Sequence, residues 1–333
     1  MAVEQHSAEV ISPLDALSNA LTPDMEAVNA AILTRMTSDI ALINQVAAYL
    51  ISAGGKRIRP LLTLAFTDML SGDKPRAHGL AATVEFIHTA TLLHDDVVDE
   101  SAERRGQASA NAAFGNQASV LVGDFLFSRA FQLMVADGSL DTLRILSDAS
   151  AVIAEGEVLQ LQMQGNLDTT WDQYRQMIGA KTAALFAAAC EVGAVASGAY
   201  PDVQKAARDY GYELGLAFQI ADDVLDYAGE NLGKTVGDDF REGKISAPIL
   251  LSYAQAESEE RAFWQRTIRD HKQSPEDLPR AQEYLQNSLS IDQGLECAAK
   301  HAANAQKTLE TLPSSPLKDL MHDLCDYVVK RSY

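Results

Sequence analysis

Two clusters of aspartates are the residues of this chain best suited to chemistry. Both clusters have aspartate at a first position, at the next one and at the fourth after the first. On a helix, residues four apart lie about 40° apart around the axis, so the first and last aspartate share one face. Like charges at that spacing repel one another, unless a cation lies between them. The six residues are Asp95, Asp96, Asp99, Asp222, Asp223 and Asp226.

A single acidic triplet is commonly no more than a solvated helix face. Both triplets here follow apolar runs, at residues 89–93 and 214–221, where uncompensated carboxylates would be costly to bury. Carboxylate oxygens are ligands that Mg²⁺ prefers, usually one or two of them together with phosphate oxygens. The repeated pattern therefore predicts a shared Mg²⁺ site that uses all six aspartates.

Basic residues lie close to the first cluster in the sequence. Lys56 and Arg59 follow two glycines and can share one face of a helical turn, where they could hold a phosphate. A solvated basic turn explains them equally well. Arg104 and Arg105 come directly after the aspartates. They could hold a phosphate that also contacts the metal, or they could simply compensate the acidic charge.

Two further residues could belong to the same site. Lys181 lies beside Thr182 in the apolar segment 177–196, and a buried lysine needs an anionic partner. A lysine whose ammonium group reaches the surface would need none. His88 stands seven residues before Asp95 on nearly the same helix face. It is expected either to face the cavity or to be an ordinary core histidine.

The pattern along the chain predicts one all-α domain over residues 1–333. Proline is absent between Pro75 and Pro201, which favours helix throughout that stretch. Apolar spacing predicts one long amphipathic helix within residues 14–52. Residues 1–13 are expected to form a loose N-terminus, residues 229–248 a glycine-rich mobile lid, and the charged residues 254–279 a peripheral segment.

Composition narrows the class of protein. The 333 residues are 47% hydrophobic and carry a net charge of −19, which argues against nucleic-acid binding. The three cysteines have no metal-ligand spacing and are odd in number, as expected in a reducing compartment. No signal-peptide pattern is visible, and the apolar runs are shorter than a membrane span. We expect a soluble, cytoplasmic protein.

Other catalytic patterns are not supported. The Gly-Lys-Thr at residues 233–235 lacks the earlier glycine of a nucleotide-binding P-loop, because that position is Ala228. No Ser-His-Asp set or cysteine nucleophile is evident. Paired carboxylates, clustered basic residues and long apolar helices together favour a metal-bound diphosphate ester with an apolar tail.

In these motifs the chain resembles the trans-prenyl diphosphate synthases, which lengthen isoprenoid chains head to tail. The matching segments span roughly residues 50–250, in the order and spacing of that family. They are residues 54–60, His88, residues 95–99, residues 104–106, Lys181-Thr182, Phe218-Gln219, residues 222–226, residues 233–235 and Lys244.

The resemblance implies the type I isoprenoid synthase fold, a single all-α bundle around a deep central cavity, usually in a homodimer. It implies Mg²⁺, with three ions when substrate is bound, and two substrates, an allylic diphosphate and isopentenyl diphosphate. The catalytic residues would be Asp95, Asp96, Asp99, Lys181, Gln219 and Asp222. The allylic diphosphate would be held by Arg104, Lys181, Thr182, Gln219, Lys234 and Lys244. Isopentenyl diphosphate would be held by Lys56, Arg59, His88 and Arg105.

Product length should depend on residues one to two turns before the first aspartates. Short-chain relatives place bulky aromatic residues where this chain has Ala90 and Thr91. Small residues leave the path of the growing tail open, while Phe86 could be a lower stop or a core residue. We expect an octaprenyl to decaprenyl product for quinone side chains, and we expect Ala90→Phe to shorten it. An apolar product also suggests transient contact with a membrane.

Three alternatives remain. A geranylgeranyl diphosphate synthase would differ in product length. A class I terpene cyclase would normally carry an Asn/Ser/Glu metal motif in place of the second aspartate triplet. A non-catalytic regulatory subunit would tend to lose aspartates, and all six are present. One departure from the family pattern lies in the lid, where Ser246-Ala247-Pro248 replaces the Thr-Leu-Pro of many relatives.

Overall fold

The computed structural model describes residues 11–52, 54–104, 106–228 and 236–330. These ranges are helical apart from one two-stranded antiparallel hairpin, which confirms the predicted all-α class. The helices are α1 Pro13–Ala20, α2 Thr22–Met36, α3 Ala41–Ser52, α4 Ile58–Met69, α5 Lys74–Val98, α6 Ala110–Phe114, α7 Asn116–Asp137, α8 Leu140–Met163, α9 Trp171–Ile178, α10 Ala184–Ala196, α11 Pro201–Ala228, α12 Asp238–Arg241, α13 Ala247–Gln255, α14 Ser258–Trp264, α15 Asp277–Asn287, α16 Ser290–Leu309 and α17 Pro316–Lys330. The strands are β1 Glu103–Arg104 and β2 Gln107–Ala108, and π-helical turns occupy Gly179–Ala183 and Gln265–Arg269.

The N-terminal region differs from the prediction of one long helix. It forms three helices, because the chain becomes extended at Thr37 before α3 begins. The side chain of Asn44 stabilises this break by bonding both backbone groups of Ser38. Ile40, which fits the apolar repeat of the sequence, is 58% exposed. Residues 1–10 of the predicted loose N-terminus lie outside the described residues, and Pro13 already belongs to α1.

Helices α5 and α11 position the two acidic clusters. Helix α5 begins where Asp73 caps its first turn and Pro75 occupies an early position, and it ends at the first cluster. It packs against α2, α4, α7 and α10, while α11 packs against α10, α13 and α16. Helix α11 is 28 residues long and carries the second cluster in its last two turns. The bundle therefore holds both clusters at helix ends.

Glycines allow unusually close helix contacts around α10. A β-carbon on Gly193 would lie 2.5 Å from the carbonyl oxygen of Thr63 on α4. Thr63 and Thr67 also donate hydrogen bonds to backbone carbonyls of α10, at 2.8 Å and 3.1 Å. Because no side chain separates the two backbones, α4 and α10 act as one rigid wall of the bundle.

The segment 254–279 was predicted to be peripheral, but part of it is buried. It contributes Phe263 and Trp264 to a second small core, and Trp264 is completely buried. Phe240, in the short helix α12, packs against both aromatic rings. This second core supports the chain just before α13, next to the second acidic cluster.

Two helical stretches are long and apolar enough to span a membrane by length and composition, contrary to the sequence prediction. They are Asn116–Asp137 and Trp171–Ala196, each with a mean hydropathy of 1.4. The second is 83% buried inside the protein, as a core helix is, whereas the first is 44% buried. The exposed side of the first stretch therefore offers an apolar surface.

We expect Gly193→Ala to destabilise the fold by roughly 1–3 kcal/mol, because its methyl group would press on the α4 backbone. The matched control is Gly79→Ala in α5, where a β-carbon meets nothing within 4 Å. That change should stabilise the helix by about 0.5–1 kcal/mol. Urea unfolding measures both, and equal effects of the two variants would contradict the close packing of α4 on α10.

Candidate active site

The two acidic clusters face one large cavity of about 1170 Å³. Asp95 and Asp99 line it from the end of α5, and Asp222 and Asp226 line it from the end of α11. The predicted pairing of the first and last aspartates on one helix face thus places four carboxylates around a common space. Basic residues line the same cavity, namely Lys56, Arg59, Arg104, Lys181 and Lys244.

The middle aspartate of each triplet is held by protein groups. Asp96 is 3% exposed, and its Oδ1 accepts a hydrogen bond from Arg104 Nε at 2.7 Å and forms an ion pair with Arg104 Nη2 at 2.5 Å. Asp223 accepts from Tyr174 Oη at 2.6 Å, Gln219 Nε2 at 2.8 Å and Ala247 N at 3.1 Å. Direct metal ligation by these two aspartates stays a prediction. What the structure shows is that their hydrogen bonds hold Arg104, Tyr174 and Gln219 in place.

Asp223 also shows how the departure at Ala247 is accommodated. The contact from position 247 is a backbone amide, so a smaller side chain there leaves the hydrogen bond intact. Burial raises the pKa of Asp223 to about 6, although its hydrogen bonds from Tyr174, Gln219 and Ala247 oppose the rise. The change at position 247 therefore preserves the contact that orients this carboxylate.

Two lysines lie against the first cluster. Lys181 Nζ is 2.7 Å from Glu157 Oε2 and 3.9 Å from Asp95 Oδ2. Lys244 Nζ is 2.8 Å from Asp99 Oδ2 and also pairs with Glu242. Burial alone would lower the pKa of Lys244, but these carboxylates and Asp239 raise it above its usual value. The ammonium group of Lys244 therefore remains charged beside Asp99.

Compensation of Asp95 is incomplete. Burial raises the pKa of this carboxyl to about 7, the positive charge of Lys181 opposes the rise, and Glu157 and Asp99 add to it. A group that is costly to ionise in the free protein gains most from an additional cation. Glu157 and Gln160 of α8 line the cavity as well, whereas Glu155 on the same helix is exposed.

Asp239 is a cavity residue that the sequence prediction missed. The backbone amides of Asp238 and Asp239 donate to the two oxygens of Asp226, at 3.2 Å and 3.1 Å. This brings the Asp239 side chain to the cavity, where burial and the charges of Asp226 and Asp223 raise its pKa well above its usual value. Its only sequence signal was its place in a segment rich in glycine and charge.

A π-helical turn presents Lys181 and Thr182 together. The turn Gly179–Ala183 widens the helix, and both side chains line the cavity. Thr182 Oγ1 donates to Gln219 Oε1 at 2.8 Å, which links it to the second cluster. The turn has space because Gly156 faces it from α8, where a β-carbon would lie 2.6 Å from the amide of Lys181. Such turns are frequent at functional sites.

The structure describes only some of the residues predicted to hold isopentenyl diphosphate. Arg59 Nη1 lies 3.1 Å from His88 Nε2, and its guanidinium carbon lies 4.4 Å from the ring centre of Phe186. Burial lowers the pKa of Arg59 to about 10, so it stays charged at neutral pH. Its Nε is buried with no hydrogen-bond partner in the described ranges. Arg105, predicted for the same substrate, lies outside the described residues, and so does Lys234, predicted for the allylic diphosphate.

The three residues predicted to control product length occupy different places. Thr91 lines the large cavity, and its Oγ1 donates to the carbonyl of His88 at 2.9 Å. Ala90 is completely buried in the main core. Phe86 is 1% exposed and lines a small cavity of about 70 Å³ that adjoins the large one, and its burial agrees with a core role.

Comparison with known proteins identifies the family. A sequence model described as polyprenyl synthetase matches residues 40–285. The chain belongs to the polyprenyl synthetase family. An octaprenyl diphosphate synthase of Escherichia coli (strain K12) is 45% identical over 321 residues, which cover 96% of this chain and 99% of that relative. The predicted resemblance is thereby confirmed, and the members of this family are prenyltransferases.

Solved structures agree with this assignment. A decaprenyl diphosphate synthase from Rhodobacter capsulatus superposes with a TM-score of 0.92 at 50% identity, covering 96% of this chain and all of that one. A polyprenyl synthase from Caulobacter crescentus, complexed with calcium and isoprenyl diphosphate, gives 0.94 at 48% identity, covering 98% and 100%. The type I isoprenoid synthase fold is therefore confirmed as well.

Asp95→Asn should stabilise the metal-free protein at pH 8. The unfolded chain loses this proton near pH 3.9 and the folded chain near pH 7. Between those values the folded state binds more protons, so the contribution of Asp95 becomes less favourable as the pH rises. The gain for the variant should be roughly 1–4 kcal/mol at pH 8 and should vanish at pH 4.

Urea unfolding in the presence of a chelator measures this gain. The control is the same comparison at pH 4, where the Asp95 carboxyl is protonated in the folded protein and the variant should gain no stability. A variant at position 95 that is less stable than the parent at pH 8 would show that Lys181 already compensates the carboxylate.

Proposed function

We propose that the protein is a Mg²⁺-dependent trans-polyprenyl diphosphate synthase. It condenses an allylic diphosphate, such as farnesyl diphosphate, with successive molecules of isopentenyl diphosphate. The observation that carries this proposal is the shared cavity, in which Asp95 and Asp99 face Asp222 and Asp226 beside basic residues. The octaprenyl and decaprenyl synthases among its relatives support a product of eight to ten isoprene units.

The residues present fit a metal bound together with substrate. The carboxylates of Asp95, Asp99, Asp222 and Asp226 are among the oxygen ligands that line the cavity, and the carboxyl of Asp95 is incompletely compensated. Among the described residues, no three His, Cys, Asp or Glu side chains converge closely enough to hold an ion alone. Mg²⁺ usually takes one or two carboxylates and completes its coordination with phosphate oxygens and water. We propose three ions when the substrates are bound.

The chain's own residues supply binding and orientation. Bound Mg²⁺ would act as a Lewis acid that stabilises the departing diphosphate. Lys181, Lys244 and Arg104 would hold that diphosphate by charge-assisted hydrogen bonds. Arg59, with its unpartnered Nε, and His88 would hold isopentenyl diphosphate so that its double bond faces the allylic carbon. The apolar walls would keep water from the carbocation until a proton is lost to the departing diphosphate.

A homodimer is supported by an exposed apolar surface on α7 and α8. A group of exposed apolar side chains on neighbouring helices is typical of an interface between protein chains. The surface comprises Val120, Leu121, Phe131, Val135, Val152, Val158 and Leu161, which are 37–69% exposed. We expect sedimentation equilibrium to give twice the chain mass of 36.0 kDa. Leu121→Glu should favour the monomer, and a monomeric parent protein would contradict the proposal.

The deciding experiment follows product length. Purified protein is incubated with farnesyl diphosphate and labelled isopentenyl diphosphate, with and without Mg²⁺, and the dephosphorylated products are separated by length. A Mg²⁺-dependent product of eight to ten units supports the proposal. A product of four units indicates a geranylgeranyl diphosphate synthase. Absence of product from a folded protein would indicate a non-catalytic subunit.

Thr91→Phe should shorten the product by two or more isoprene units, because the ring would fill the cavity along α5. Thr89→Phe is the matched control, since Thr89 lines only the small adjoining cavity. Position 90 is a less direct test than the sequence suggested, because a ring there would overpack the buried core. Equal product lengths for Thr91→Phe and the parent would contradict the open path.

A further inference from the structure

A buried carboxylate stands at an unexpected place in the cavity wall. Glu85 is 9% exposed and lies one turn before His88 on α5, beside the residues assigned to isopentenyl diphosphate. A carboxylate there is costly to desolvate and repels an anionic ligand. Its presence needs a role that outweighs both effects.

The contact of Glu85 indicates that role. Its Oε1 lies 2.5 Å from Nη1 of Arg57, and the two side chains are only 11% and 20% exposed. Arg57 has a φ of 49°, a left-handed conformation, at the residue just before α4. That conformation costs a residue other than glycine roughly 1–2 kcal/mol, so surrounding contacts must hold it. The ion pair to α5 is such a contact.

The strained residue lies between two residues of the diphosphate site. Lys56 precedes Arg57, and Arg59 follows two positions later, so the backbone at Arg57 sets the directions of both. Helix α5 thus meets this segment at two points, Glu85 on Arg57 and His88 on Arg59. The charge of Glu85 also acts on Arg59, where it opposes the effect of burial on the pKa.

We propose that Glu85 and Arg57 are a positioning pair that fixes Lys56 and Arg59 for isopentenyl diphosphate. Arg57 has a second effect, because it neutralises Glu85 and so leaves the Arg59 guanidinium available to the ligand. Neither residue of the pair takes part in the bond-making step. The inference rests on the proposed function for the identity of the ligand.

The test compares Arg57→Met, Glu85→Gln and the double variant by their KM values for both substrates. Arg57→Met removes the Arg57 ion pair of Glu85, whose carboxylate can then draw Arg59 away. We expect the KM for isopentenyl diphosphate to rise roughly 30-fold or more, while the KM for farnesyl diphosphate stays within about threefold. Adding Glu85→Gln removes the negative charge that attracts Arg59 and should restore most of the lost affinity.

Arg76→Met is the matched structural control. Arg76 is also on α5 and pairs with the buried Asp137, at the end far from the cavity. Its loss should lower the melting temperature without changing either KM. If Arg57→Met behaves like this control, raises both KM values equally, or is not rescued in the double variant, the positioning role is wrong. Should Arg57→Met fail to fold, Arg57→Lys keeps the charge and should give an intermediate KM.

Calorimetric binding of isopentenyl diphosphate separates this inference from the proposed function. The parent protein could bind this diphosphate without turnover, with the variants ranked by affinity as above. The positioning role would then stand, and the proposed function would be wrong. If the parent protein turns over and Arg57→Met binds isopentenyl diphosphate as the parent does, the proposed function stands and the positioning role of the pair is wrong. Absence of binding to the folded parent overturns both.

Discussion

Compensation of negative charge around the cavity is the constraint on which the structure depends. Many carboxylates crowd around one space, and several nearby segments contribute groups that balance some of them. The π-helical turn brings Lys181, the chain before α13 brings Lys244, and the hairpin brings Arg104 to Asp96. Asp223 is balanced by neutral donors instead. The helices are arranged so that these groups meet at one end of the bundle.

The sequence predicted those features that depend on local spacing. The aspartate repeat places its members correctly because helix geometry alone decides which residues share a face. The all-α class follows from the scarcity of proline and of strand-like alternation. The break after α2 was missed because Ile40 continues the apolar repeat while Asn44 and Ser38 interrupt the helix through side-chain hydrogen bonds. Periodicity does not reveal such a bond.

Features created by contacts between distant segments could not be predicted. Glu157 belongs to the site because α8 brings it to Lys181, and Asp239 because the chain folds back onto Asp226. The π-helical turn has space only because Gly156, on another helix, lacks a side chain. The buried Trp264 was missed in the same way, since its partner Phe240 comes from a separate segment.

The two lysines beside the first cluster bear on how the protein folds and binds metal. In many metalloproteins, binding the ion and folding are a single event, and the chain is unfolded without metal. Here Lys181 and Lys244 lie beside the first cluster as internal counter-ions, so the fold brings these carboxylates together with cations of its own. Under the proposed function, an ion entering the cavity would compete with these ammonium groups. A lysine displaced in this way would be available to the phosphate that accompanies the metal, so metal and substrate would be loaded together.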